Sequence, residues 1–393
     1  MNILYILLAV LFFGFLIFIH ELGHFIVARL CGVKVLEFAI GMGPKLISVK
    51  SKKSGVRYSL RLFPIGGYVN MLGENGMETV QGSAENEDGR ENEEGKNDRD
   101  FFVTLASETE EKEGDSSQSE ELPSETVSDP RAYCNQSVWK RMLISLAGPL
   151  MNILLGFVLM LVFVIATRDG LGTTIVHSFP EEGATSVNAG LLPGDEIVKI
   201  GKVRVHTLYE LNYEISEQGY RPVSVVVNRE GQRVTLENVS FPVTTEGGTD
   251  FGMRDFYVQR VTEVNLGTLL KHTFWRSWSC VKMVYDSIAG LFVKRYSVES
   301  VSGPVGITGV ITQAAKTNWL SVLHLLILIS INLGVMNLLP LPALDGGHLL
   351  IYVVELIRGK PLKPEVEGII NFIGLVLLLG LAVVITIKDV IAL

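Results

Sequence analysis

The sequence predicts a polytopic α-helical membrane protein with about four transmembrane helices, a membrane-associated β-element and one small extracytoplasmic α/β module. Three observations carry that expectation. Hydrophobic residues fill 48% of the 393 positions, and the mean hydropathy of +0.34 exceeds that of an average soluble domain. The apolar residues gather into four long runs, each near the length that crosses a bilayer. The net charge of −8 arises in one segment: Glu74–Asp129 holds nineteen Asp/Glu against four Lys/Arg, a local −15 that leaves +7 elsewhere. A basic remainder suits a membrane protein with positive cytoplasmic flanks.

In chain order, residues 1–33 hold the first span, an apolar helix from about Ile3 to Leu30. A cleaved leader is the rival reading. The lack of a basic start, the length of the run and the absence of a small-residue cleavage site favour a span. Over 34–73 the chain turns strand-like: in "GVRYSLRLF", Arg57, Ser59 and Arg61 alternate with Tyr58, Leu60 and Leu62. "KSKKSG" closes a hairpin before that run and "FPIGGY" breaks it afterwards. Residues 74–130 are rich in Glu, Ser, Asn and Gly with few large apolar side chains, the composition of a disordered, solvated cytoplasmic insertion.

Residues 140–168 form the second span, introduced by Lys140 and Arg141. Residues 172–261 read as the α/β module. "EEGATSVNAGLLPGDEIVKIGKVRV" gives a short helix, a Gly turn and two strands, and "RPVSVVVNREGQRVTLENV" gives two β-branched strands about a turn. Residues 262–318 are an amphipathic helical linker carrying Lys271, Trp275, Arg276 and Trp278. Aromatic residues beside basic ones suit a helix lying on the membrane surface; a helix packed on a core is the alternative. Residues 319–348 hold the third span, and 349–393 a polar loop, "RGKPLKPEVEG", and the fourth span. Basic residues follow the first span (Arg29, Lys34, Lys45, Lys50, Lys52, Lys53) and separate the third from the fourth (Arg358, Lys360, Lys363). Those two loops are therefore expected in the cytoplasm, and the α/β module outside.

Composition also excludes some functions. No basic patch interleaved with aromatics speaks for nucleic acid. The three cysteines, Cys31, Cys134 and Cys280, are odd in number and unpatterned, which argues against a disulfide framework or a zinc finger.

The chemistry concentrates in "FLIFIHELGHFIVARL" (15–30). His20-Glu21-Leu22-Gly23-His24 has the H-E-x-x-H spacing: four residues apart on a helix, two imidazoles share one face and can bind one Zn²⁺. Glu21 beside them can take a proton from water whose pKa the metal lowers. Polar groups inside an apolar span are expensive and mark function where they occur. A catalytic zinc needs a third protein ligand. The leading candidate is Asp345 in "INLGVMNLLPLPALDGGHLL", where Pro340 and Pro342 break the third helix and Gly346 and Gly347 free the backbone. His348 and Glu355 are rival ligands on chemistry alone. Asn332 and Asn337, on the same span, can hydrogen-bond substrate backbone or join helices, as can Asn152 in "LAGPLMN". His324 reads as a packing residue, and His177, His206 and His272 have no ligand-like spacing.

Taken together, "HELGH" (20–24), "GMGPKL" (41–46), "LFPIGGYV" (62–69), "SLAGPLMN" (145–152), "SGPVGI" (302–307) and "NLLPLPALDGGH" (337–348) resemble the site-2 protease family in both content and order. They fit its PDZ-containing bacterial branch, typified by the regulator of sigma-E protease. The resemblance spans nearly everything outside Glu74–Asp129. It implies one zinc per chain held by His20, His24 and Asp345, with Glu21 as general base, and it assigns Asn332 and Asn337 to substrate handling. It implies that 172–261 is a single PDZ domain of unknown ligand, and that the strands from Tyr58 through Leu60 and Leu62 to Val69 form a membrane-dipping element beside the active site. Such an edge can pair with an unwound substrate segment. The implied protein is a multi-pass enzyme of the bacterial inner membrane, cutting single-span proteins after a first extracytoplasmic cut. Anti-sigma factors and remnant signal peptides are the family's substrate classes. Two other classes, a PDZ scaffold and a zinc transporter, fit less well. The first leaves the intact H-E-x-x-H unexplained, and the second requires carboxylates along the second and fourth spans.

Overall fold

The computed structural model describes residues 3–74, 129–180, 184–296 and 303–391. Most of the acidic insertion expected to be disordered lies outside the described residues. Four helices among the described residues are long and apolar enough to cross a membrane: α1 (Ile3–Leu30), α2 (Val138–Ala166), α6 (Trp319–Asn337) and α8 (Pro364–Ile391). At about 1.5 Å per residue even the shortest approaches the ~30 Å hydrocarbon core. The chain divides into two compact units, one of residues 10–148 and 340–372, the other of 1–9, 149–339 and 373–393.

The unit of residues 10–148 and 340–372 contains the H-E-x-x-H helix, a β-sheet and the short helix α7 (Asp345–Arg358). α1 stops where Gly32 adopts a left-handed φ of 81°, and the N–H of Val33 reaches back to the carbonyl of Ala28. This C-terminal motif is one that glycine permits without strain. The chain then enters β1 (Val35–Lys50) and β2 (Arg57–Met71). Ser51 and Val56 close the hairpin between them through a 2.9 Å backbone bond.

These two strands do more than form a hairpin. Phe38 pairs with both Tyr58 and Val69, and Tyr58 pairs with both Phe38 and Val49. Each strand bends, so four segments lie side by side in the order 67–71, 35–40, 57–61, 45–50. The corners need glycine: Gly41 has φ 87° and Gly66 φ 88°, and a β-carbon on Gly41 would lie 2.6 Å from the carbonyl oxygen of Phe63. "FPIGGY" therefore turns the strand and does not end it. Tyr58 and Leu60 sit on an inner segment, paired on both sides. The expectation of an open edge at Tyr58 and Leu60 is corrected accordingly, and the outer segments are 45–50 and 67–71. The core of this unit joins Phe38, Val69 and Met71 of the sheet to Ala28 of α1, Ile144 of α2 and Ile351 and Tyr352 of α7.

In the other unit, β3 (Gly172–Ser178), β4 (Glu196–Ile200), β6 (Val223–Arg229), β7 (Gln232–Val239) and β10 (Tyr257–Arg260) form an antiparallel sheet ordered β10-β3-β4-β6-β7, with β5 (Val203–Arg204) beside β4. Helix α3 (Leu208–Gln218) contributes Leu211 and Ile215 to a core with Val176, Ile197, Ile200, Val225 and Val227. Thr207 caps α3 by accepting from the N–H of Glu210, whose carboxylate accepts from the N–H of His206, a reciprocal arrangement close to a capping box. The β6–β7 hairpin turns through Glu230 (φ 51°) and Gly231 (φ 84°), the two positive-φ positions that a tight hairpin favours. The short helix expected in "EEGATSVNAGLL" is a single 3₁₀ turn, Ser186–Ala189, because Gly190 (φ 89°) ends it. A separate ribbon, β8 (Val243–Glu246) with β9 (Thr249–Gly252), packs on α3.

Helix α4 (Leu266–Phe292) packs against α3 and α6 through small or polar residues, among them Thr273, Ser277 and Cys280. Leu266, Leu270, Phe274 and Trp278, four residues apart in turn, are exposed. This stripe of large apolar side chains points away from the protein, while Leu269, Val281 and Val284 on the other side of the helix pack on the core with Cys280. Helix α5 (Pro304–Thr317) begins in "SGPVGI". The N–H groups of Gly303 and Gly306 donate to Oδ2 of Asp389, from the end of α8, at 2.8 and 2.9 Å.

Candidate metal centre

The helical period of α1 brings His20 and His24 together: their rings meet edge to face with centroids 4.9 Å apart, and the two Nε2 atoms lie 3.3 Å from each other. Asp345 joins them from the first residue of α7. Its Oδ2 is 3.0 Å from Nε2 of His20 and its Oδ1 3.5 Å from Nε2 of His24. The chain reaches that position through the Pro-broken segment after α6, where Ala343 takes a left-handed φ of 67°. The three ligand atoms lie within 4.8 Å of one another. Among the described residues this is the only such group of His, Cys, Asp or Glu that can hold a metal ion.

Nδ1 of His24 donates to the carbonyl oxygen of Ile144 at 2.7 Å. That bond puts the ring proton on Nδ1 and leaves the Nε2 lone pair free, which is how proteins prepare a histidine for a metal. Gly148, one turn further along α2, faces the same nitrogens. A β-carbon there would lie 2.6 Å from Cε1 of His24 and 2.9 Å from Nε2 of His20. The space before the imidazoles exists because position 148 has no side chain. Two neutral imidazoles and one carboxylate are also the donor set of a catalytic zinc, with a fourth position left for water. Donors, tautomer and space all fit the metal.

Glu21 follows His20 on the helix and is half-buried. The sheet runs past it: a β-carbon on Gly67 would lie 3.0 Å from Cγ of Glu21 and 3.0 Å from the carbonyl oxygen of Ala39. The segment beside the carboxylate is therefore 67–71, an outer segment of the sheet.

The rival ligands have other partners. Nδ1 of His348 meets Oε1 of Glu367 at 3.2 Å, and that carboxylate holds the imidazole pKa above its ordinary value. Glu355 accepts from Nη2 of Arg141 at 2.7 Å and from the N–H of Leu362 at 2.9 Å. Asn332 and Asn337 lie on α6 in the other unit, the first exposed and the second half-buried. Five residues of helix set them about 140° apart, on different faces. Three features escaped the sequence reading: the Ile144 carbonyl, which no side chain announces, the Arg141–Glu355 pair, and the approach of Gly67 to Glu21. Gly148 lay in view within "SLAGPLMN", one of the stretches that carry the family resemblance.

The sequence profile of peptidase family M50 matches residues 8–381. The chain belongs to peptidase family M50, the site-2 proteases. Relatives include the zinc metalloprotease RasP of Shouchella clausii, 33% identical over 99% of this chain and 99% of that protein. That of Geobacillus kaustophilus is 30% identical over 96% of both, and the regulator of sigma-W protease RasP of Bacillus subtilis is 29% identical over 97% of both. As an M50 peptidase the protein is a zinc metalloendopeptidase of the intramembrane type. Its four apolar helices make it a multi-pass membrane protein.

Proposed function

We propose that zinc is held by His20, His24 and Asp345, that Glu21 is the general base, and that the enzyme cuts single-span membrane proteins within or beside the bilayer. The convergence of two imidazole nitrogens and one carboxylate on the space that Gly148 leaves open carries this reading. Bound zinc supplies Lewis-acid polarisation of the scissile carbonyl and lowers the pKa of water. Glu21 takes the proton from the attacking water and delivers it to the leaving amide nitrogen. Ile144 holds the proton of His24 on Nδ1, away from the metal side.

A helix hides its amides, so a spanning substrate must unwind before it is cut. The outer segment 67–71 beside Glu21 supports recognition by strand addition, with main-chain pairing giving affinity. Tyr58, Leu60 and Leu62 then contribute side chains from the sheet and no pairing edge. Asn332 and Asn337 are assigned to substrate handling on the strength of the family resemblance. The module of residues 172–261 is read as one PDZ domain, with the acidic 74–130 insertion as a cytoplasmic linker.

Basic residues after α1 and between α7 and α8 support an active site toward the cytoplasm and the module outside. The substrates in this reading are anti-sigma factors and remnant signal peptides, already shortened outside by another protease. The name of the Bacillus subtilis relative, a regulator of sigma-W, favours the first class.

The test pairs zinc content with cleavage. Wild type, Glu21→Gln and Asp345→Ala are purified in detergent and given a tagged single-span substrate. The expected result is one zinc and intramembrane cleavage for wild type, zinc without cleavage for Glu21→Gln, and loss of zinc for Asp345→Ala. Cleavage by Glu21→Gln would place the base elsewhere.

A further inference from the structure

We propose that Arg141 and Glu355 are positioning residues for the metal centre, holding the carbonyl that orients His24 in register with the helix that supplies Asp345. The inference rests on the reading that His20, His24 and Asp345 bind the zinc.

The two halves of the centre outside α1 come from different helices. α2 supplies the Ile144 carbonyl, 2.7 Å from Nδ1 of His24, and α7 supplies Asp345 at its first residue. Nothing local fixes one to the other, because 200 residues of chain separate these positions. Arg141 lies one turn before Ile144 on α2. Its guanidinium donates to Oε2 of Glu355 at 2.7 Å and stands 4.9 Å from the ring centroid of Tyr352, both on α7. The other carboxylate oxygen of Glu355 accepts from the N–H of Leu362, which secures the chain after α7 to the same point. Beside this pair the hydroxyls of Tyr133 and Tyr352 meet at 2.7 Å.

The pair is buried, with side-chain exposures of 11% for Arg141 and 2% for Glu355. A buried ion pair adds little net stability over apolar groups of similar volume, because desolvation offsets most of the attraction. What it supplies is direction. A carboxylate and a guanidinium meet in few geometries, so a slip of α2 along α7 breaks the bond. Such a slip would also carry the Ile144 carbonyl away from His24 and free its tautomer. Outer-shell partners that orient ligands in this way typically contribute about 10–100-fold to metal affinity.

Glu355→Gln alone leaves Arg141 buried without its charge partner and risks misfolding, so the deciding variant is the double Arg141→Met/Glu355→Gln, which removes both charges, keeps the volume and leaves an oxygen to accept from Leu362. Zinc dissociation constants are measured by chelator competition on the full-length apoenzyme in detergent, with thermal melting of the same samples. Asp345→Ala reports on the ligand set, and Ile197→Val, fully buried in β4, is a control for stability alone. The expected result is zinc binding weakened about 10–100-fold in the double variant, with apoenzyme melting near wild type. Excess zinc should restore its kcat, with KM unchanged. Ile197→Val should melt lower and bind zinc as wild type does. Wild-type zinc affinity in the double variant, with Asp345→Ala losing the metal, would overturn the positioning role alone. Retention of zinc by Asp345→Ala would overturn the ligand assignment and this inference with it.

Discussion

Gly148 passes His24 so closely that a β-carbon at position 148 would overlap Nε2 of the imidazole and lie 2.9 Å from Nε2 of His20. The Nε2 atoms of both histidines face this glycine, so the smallest possible side chain would occupy the coordination space. Gly148→Ala is expected to weaken zinc binding by about 100-fold or more, judged against outer-shell losses of 10–100-fold, and to reduce cleavage in proportion. Gly380→Ala, on α8 where a β-carbon meets nothing within 4 Å, should retain zinc and gain up to about 1 kcal/mol from helix propensity. Metal analysis of both purified proteins checks this, and normal zinc in Gly148→Ala would mean that α2 yields to a methyl group.

The parts of this site that were legible in the sequence are those that violate local rules. Two histidines and a glutamate in an apolar helix, and an aspartate between helix-breaking prolines and glycines, contradict their surroundings and so draw attention. The hairpin at "KSKKSG" was legible because turn chemistry is local. The double pairing of β1 and β2 was not. Alternation identifies a strand, but the number of partners a strand takes depends on where Gly41 and Gly66 let it fold back. Arg141 illustrates a different limit. Beside an apolar run it reads as an interfacial flanking charge, whereas its partner Glu355 lies 214 positions away. The same long separation made Glu355 look like a rival ligand.

Tyr133 and Tyr352 form a second link between the chain before α2 and α7, with their hydroxyls 2.7 Å apart and both rings buried. Removing either hydroxyl leaves the other with a lost partner, at a cost of about 1–2 kcal/mol. Tyr133→Phe/Tyr352→Phe removes both groups together, so it should cost less than the two single changes combined, by roughly 1 kcal/mol. Thermal or denaturant unfolding of the four proteins in one detergent completes the cycle. Strict additivity would show that each hydroxyl finds another partner once the first is gone.

Asp389 acts as a cap in trans. Its Oδ2 accepts from Gly303 and Gly306 at the start of α5, taking the part that an N-cap side chain plays within a helix. This gives "SGPVGI" a structural reason, since a β-carbon on Gly303 would lie 3.0 Å from that oxygen and 2.7 Å from Cγ2 of Ile385. Asp389→Ala should cost about 1–3 kcal/mol by leaving two amides without an acceptor, and Asp389→Asn, which keeps an oxygen, should cost less. Amide exchange over Gly303–Ile307 should accelerate in Asp389→Ala and remain slow in Asp389→Asn. Equal exchange in all three proteins would remove Asp389 from this role.

His272 gives helix α4 a pH dependence of predictable sign. The residue is 4% exposed, and Nδ1 is buried without a hydrogen-bond partner among the described residues. Burial, then the neighbouring charges of Arg276 and Lys271, push its pKa down to about 4. In the unfolded chain it titrates near 6.5. Between those values the unfolded state takes up a proton that the folded state refuses, so stability is full above pH 6.5 and falls as the pH drops toward 4. At about 1.4 kcal/mol per pKa unit, the loss amounts to roughly 3 kcal/mol across the window. Other groups also lose stability in acid, so the informative quantity is the difference between wild type and His272→Phe. That difference should shift in favour of the phenylalanine variant as melting is repeated from pH 7.5 to 4.5, with most of the change below 6.5. A difference that stays constant would mean that His272 charges as readily in the folded protein as in the unfolded chain, and that water reaches it despite its burial.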